Sequence, residues 1–176
     1  MGVLVAVVQV VADRVGLGNI MLDITILAVG SIKDKNYLAL GNEYQKRLKP
    51  YARLEIVELA SVSFSASNQE KAKGAEGKAI QDYLTKRSAS NRPGAVFLLA
   101  ERGREYSSPE LAAWLEKEGS VILVVGGTLG FSADLYERYP QLSLSALTFP
   151  HELARVILLE QIYRATTIIN GKDYHY

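Results

Sequence analysis

The chain has 176 residues, 48% apolar and 22% charged, the size and balance of one globular domain rather than a disordered segment. A net charge of +1 neither favours nor opposes a nucleic-acid partner, because only a strong basic excess leaves a footprint in the total. The absence of cysteine excludes disulfides, thiolate metal sites and cysteine nucleophiles; two histidines, His151 and His175, cannot build a three-histidine zinc site, so no metal is expected. The chain opens with an apolar run at residues 3–11, interrupted only by Gln9, that is too short to span a bilayer and lacks the basic start of a secretory signal. The expectation is a cytoplasmic protein with no membrane partner. A fresh strand pattern begins directly after Met21, so residues 1–20 are expected to be an extension upstream of the natural start, with residues 21–176 as the single domain. The competing reading is an added edge strand, since the run is rich in valine.

Residues 22–29 predict a strand ending at Gly30. Residues 35–48 predict a helix with Tyr37, Leu40, Tyr44 and Leu48 on one face, closed by Pro50. Residues 53–59 alternate as a second strand, and residues 61–68 are a small, polar loop. A helix over residues 69–87 carries an expected buried stripe of Ala72, Ala75, Ala79, Ile80 and Tyr83. Residues 95–100 predict a strand; Ser108 with Pro109 opens a helix that stops at Gly119. The apolar strand 121–125 runs into Gly126, Gly127 and Gly130, then come a short helix at 132–138, a short strand at 142–145 and the last helix from Glu152. Strand and helix alternate throughout, and an uninterrupted apolar strand needs cover on both faces. The expected fold is α/β, a mainly parallel sheet covered by helices on both faces.

The last helix predicts more. Its polar residues Glu152, Arg155, Glu160, Gln161 and Arg164 share no face at helical spacing, and apolar residues fill most of the rest. Such a helix is buried on more than one side, and in a chain this small a second subunit is the expected cover, giving a homodimer through this helix.

Chemistry-bearing motifs are sparse. No dinucleotide fingerprint, phosphate-binding loop or GxSxG elbow is present. The glycines after residue 125 stand where parallel sheets bind ligands; they read either as a plain turn or as backbone that a ligand touches. His151, at the entry of the last helix, is either a capping or packing residue or a ligand-facing one. Arg164 needs an anionic partner, either Glu160 one turn away or a group at a site. The tail Asp173-Tyr174-His175-Tyr176 is either a frayed end or a segment that reaches an active site.

Taken together, Val-Val-Gly-Gly-Thr-Leu-Gly at 124–130, Leu-Ser-Ala-Leu-Thr-Phe-Pro-His at 144–151, the helix with Arg155, Glu160, Gln161, Tyr163 and Arg164, and the terminal Tyr-His resemble the RlmH family, the SPOUT-class 23S rRNA pseudouridine N3-methyltransferases of bacteria. The likeness runs from Met21 to the end. It implies an α/β knot with the C-terminal segment threaded through a loop, a homodimer, and S-adenosylmethionine as methyl donor. It implies donor contacts from Leu99, Gly127, Ser145, Ala146, Leu147, Thr148, Phe149 and Pro150. It implies a substrate in 23S rRNA of the assembled ribosome, with His151, Arg164, Tyr174 and His175 as candidates for the catalytic group. Where relatives carry a basic residue after the Tyr-His pair, this chain has Tyr176. The rival expectations are a ribosome-associated RNA-binding factor of the same fold without methyl transfer and a Rossmann-like small-molecule enzyme, the latter lacking its fingerprint.

Overall fold

The computed structural model describes residues 20–90 and 92–175, so the expectation for residues 1–20 lies outside the described residues except at Ile20. Five strands form one sheet: β1 (Leu22–Val29), β2 (Ala52–Leu59), β3 (Ala95–Glu105), β4 (Ser120–Val125) and β5 (Gln141–Ser143). Their order is β2-β1-β4-β3-β5, and every pairing is parallel. The helices are α1 (Lys35–Leu48), α2 (Gln69–Ser88), α3 (Ser108–Glu118), α4 (Ala133–Arg138) and α5 (His151–Ile169).

Successive strand residues point to opposite faces, and each face has its own core. Ile24, Ile26, Ala28, Val121, Leu123 and Val125 pack with Leu48 of α1, Leu111 and Leu115 of α3, and Leu158, Leu159 and Ile162 of α5. Leu27, Val29, Ile122 and Val124 pack on the other side with Ile80 and Leu84 of α2 and Leu135 of α4. The expected two-sided α/β sheet is what forms.

Details depart from the sequence reading. The buried positions of α2 are Ala72, Glu76, Gly77, Ile80 and Leu84, while Ala75 faces solvent. A carboxylate therefore sits in a stripe where periodicity alone favoured alanine. Leu40 of α1 is 45% exposed, and the buried positions of that helix are Gly41 and Leu48. The N-cap of α3 is Ser107, not Ser108; its side chain and that of Glu110 close a reciprocal capping box.

β3 runs five residues beyond its expected end. Its register against β5 jumps between Leu99 and Arg104, so residues 100–103 bulge out and Arg104 and Glu105 pair again with Leu142 and Ser143. Gly103 makes this possible: a Cβ there would stand 2.5 Å from the Leu142 carbonyl carbon.

Candidate active site

Because all strands are parallel, their carboxyl ends share one edge, the usual ligand edge of such sheets. A cavity of about 1190 Å³ opens there, beyond β3, β4 and β5. Its walls are Leu99 to Arg102 from the β3 bulge, Val125 to Thr128 and Gly130 after β4, Phe131, Tyr136 and Glu137 around α4, and Ser143 to Ser145 and Leu147 to Ala154 in part from the last bend into α5.

The two glycines of the β4 turn leave no spare room. A Cβ on Gly126 would meet the Phe131 ring at 3.2 Å, and one on Gly127 would lie 2.9 Å from Glu76 Oε2 and 3.1 Å from Val29 Cγ1. Gly130 adopts φ +70°, a left-handed conformation that favours glycine.

The bend before α5 is built by its own hydroxyls. Ser145 N–H donates to Ser143 Oγ at 3.2 Å, Ser143 Oγ donates to the Ser145 carbonyl at 2.9 Å, and Leu147 N–H donates to Ser145 Oγ at 3.1 Å. These serines fold the turn locally, a role that does not require nucleophilic activation. Thr148 Oγ1 donates to Glu101 Oε1 at 2.8 Å, tying the bend to the β3 bulge across the cavity. Leu147 is 70% exposed, an apolar side chain at the cavity mouth with little protein against it.

The entry of α5 is fixed from the β1 end. Glu152 Oε2 accepts the Lys33 and Asp34 N–H groups, each at 3.0 Å. Arg155, 4% exposed, donates to the Gly30 carbonyl at 3.1 Å and to Glu58 Oε1 at 2.6 Å. His151 is thereby held at the cavity wall, with Gly30 (φ +83°) and Ser61 nearby.

Of the residues expected to hold a donor, Leu99, Gly127, Ser145, Leu147, Thr148, Phe149 and Pro150 all line this cavity; Ala146 lies on the same bend outside the lining. His151 joins them, but Arg164 does not. The two stand thirteen helical steps apart, about 20 Å along the α5 axis. Arg164 Nη2 donates to Glu160 Oε1 at 2.6 Å, and its guanidinium lies 4.8 Å from the Tyr174 ring centre. Tyr174 is docked rather than frayed: its ring meets Tyr163 edge-on at 4.8 Å and its hydroxyl donates to Glu160 Oε1 at 3.2 Å. Burial, then the Tyr44 hydroxyl and Glu160, pushes the Tyr174 phenol above the usual tyrosine range, so within its own chain it is a hydrogen-bond donor rather than a base. His175 is exposed.

The sequence reading missed the Glu101–Arg102 wall and Glu76 behind Gly127. A glycine inside a strand, at Gly103, was the available signal for the bulge. No group of three or more potential metal ligands occurs among the described residues.

The site is thus a glycine-floored cavity between the β4 turn and a serine-built bend, at the carboxyl edge of a parallel α/β sheet. The chain matches the family described as "Predicted SPOUT methyltransferase" over residues 22–175, and it belongs to that family. It is 42% identical over 164 residues to the ribosomal RNA large subunit methyltransferase H of Acetivibrio thermocellus, covering 86% of this chain and 98% of that protein. It is 41% identical over 165 residues to the protein of the same name from Clostridioides difficile, covering 88% and 99%. A looser likeness, with TM-score 0.45 and 13% identity over 91% of this chain and 62% of the other, is to the SpoU methyltransferase AviRb of Streptomyces viridochromogenes, solved with AdoMet.

Proposed function

We infer that this protein is an S-adenosylmethionine-dependent methyltransferase of large-subunit ribosomal RNA. The observation that carries the reading is the convergence of Leu99, Gly127 and the Ser145–Pro150 bend, three distant stretches of sequence, on one cavity. The residues fit an adenosyl group. Leu99, Leu147 and Phe149 offer apolar walls, and the Gly126–Gly127 backbone permits close approach. When bound, the donor supplies an electrophilic methyl group.

The finer reading is transfer to N3 of a pseudouridine in 23S rRNA of the assembled ribosome, which places the protein in the cytoplasm. N3 carries an imino proton that must leave. A group near the reacting atoms takes it, and positioning lowers the rest of the barrier. His151 lines the cavity of its own chain, whereas Arg164, Tyr174 and His175 stand at the far end of α5. They serve a cavity only if a second copy brings them there. The half-buried stripe of α5 with Leu153, Ile157, Glu160 and Arg164, whose apolar members lie outside both core clusters, supports a homodimer through this helix. Residues 21–176 act as one domain in this reading. The knotted path that the family resemblance implies belongs to this reading.

Labelled donor incubated with ribosomes lacking the modification tests the reading. Methyl incorporation into 23S rRNA is expected, lost in Arg164→Ala and in a chain ending before Tyr174. Ribosome binding without incorporation at any salt concentration would instead identify a binding factor of the same fold.

A further inference from the structure

Helix α2 places a carboxylate where its packing stripe runs through the core. Ala72, Ile80 and Leu84 are buried on one face, and Glu76, one turn after Ala72, is only 6% exposed. Its Oε1 accepts the Val62 N–H at 2.9 Å, which ties α2 to the segment after β2. Its Oε2 is buried and has no hydrogen-bond partner. Native proteins rarely leave such an atom unpaired, so each case calls for a cause.

The direction of that oxygen supplies one. It lies against Gly127, close enough that a Cβ there would be 2.9 Å away. The neighbouring Gly77 repeats the pattern one residue on: a Cβ at Gly77 would stand 2.7 Å from Ser132 Oγ. The Glu76-Gly77 pair is therefore pressed against both ends of the segment that runs from the cavity floor to the start of α4. Two separate observations, an orphaned oxygen and a pair of close approaches, meet on the backbone that lines the cavity.

We propose that Glu76 is a positioning residue of the donor site, whose open oxygen accepts a backbone N–H from the Gly126–Thr128 turn when the donor is bound. This assignment rests on the donor-binding reading given above. Glu76 does not touch the donor; it acts through the turn that does. The carboxylate suits the task because both of its oxygens accept. A glutamine has one acceptor oxygen, so if that oxygen keeps the Val62 N–H, its amide nitrogen faces the turn and two donors oppose each other.

Calorimetric titration of the full chain with S-adenosylmethionine, wild type against Glu76→Gln, is the test. A hydrogen bond to a charged acceptor corresponds to a roughly tenfold to hundredfold change in donor Kd. The expected result is a Kd and a donor KM raised by about that factor, with kcat at saturating donor within about twofold. The donor-induced rise in Tm should shrink as well, which a merely structural role would not cause. A folded variant with wild-type Kd overturns the assignment alone. A wild type that binds no donor overturns the donor reading and this assignment with it. A donor-bound crystal structure of the wild type needs no variant: Glu76 Oε2 within hydrogen-bond distance of a turn N–H is expected, and an Oε2 still unpaired there overturns the proposal.

Discussion

Gly127 is held between the cavity and two side chains that cannot easily give way, Glu76 on α2 and Val29 on β1. Adding one methyl group there should cost about 1–3 kcal/mol, the usual penalty for overfilling a packed site. Gly127→Ala is expected to lower the denaturant midpoint by the corresponding amount and to weaken donor binding in titration. Arg155 is a second residue on which the site depends without forming its wall. It joins the β1 end, through the Gly30 carbonyl, to Glu58 and to α5. Arg155→Met keeps most of the volume and leaves the Gly30 carbonyl unpaired. A loss of about 1–3 kcal/mol in chemical denaturation is expected, accompanied by weaker donor binding because His151 is no longer anchored. Unchanged donor affinity in this variant would separate the anchor from the site.

At the scale of elements, the sheet edge opposite the cavity is tied by charge rather than by glycine. Arg92 forms a two-pronged contact with Asp23 at the start of β1, with Nε donating to Oδ2 at 2.9 Å, and also approaches Glu55 of β2 at 3.5 Å. Arg87, at the end of α2, bonds Glu55 at 3.1 Å and Thr25 Oγ1 at 3.0 Å. The Arg92 hydrogen bond, aided by the nearby arginine charges and opposed by burial, holds the Asp23 carboxyl below the usual carboxylate range. A depressed carboxylate contributes stability that is present above its unfolded pKa and lost as pH falls through the folded one. Arg92→Ala should therefore destabilise the protein at neutral pH, modestly because the pair is partly solvated. The gap between wild type and variant should close as the pH is lowered below the carboxylate range. Thermal melts at neutral and acid pH measure it, and a gap independent of pH would assign the effect to packing.

For the whole molecule, the proposed dimer turns on α5. Within one chain it lies on the sheet between α1 and α3, and these cover much of the apolar surface that the sequence reading gave to a second subunit. What remains is a half-buried stripe with Leu153 and Ile157, outside both core clusters, beside Glu160 and Arg164. A charge in that stripe should oppose association while sparing the core. Ile157→Glu is expected to run as a folded monomer in light scattering and to lose methyl transfer, since the far-end residues then have no second cavity to enter. A dimer of unchanged mass would place the interface elsewhere.

The alternation of strand and helix, the two-faced apolar strands and the glycine-rich end of β4 could be read directly from the sequence, because period, capping and glycine placement are local properties. Most of the cavity wall was legible through the family likeness, which is a pattern along the chain. Glu76 and the β3 bulge were not. A buried carboxylate looks like any helix-surface glutamate until its neighbours are known, and a bulge depends on the register of a strand that arrives some forty residues later. The separation of about 20 Å between His151 and Arg164 already followed from the predicted last helix and its rise per residue; the fold added that His151 lines the cavity and that Tyr174 docks beside Arg164. Sequence specifies which elements form. Only tertiary packing decides which of their side chains share a space, because that depends on how distant segments are docked.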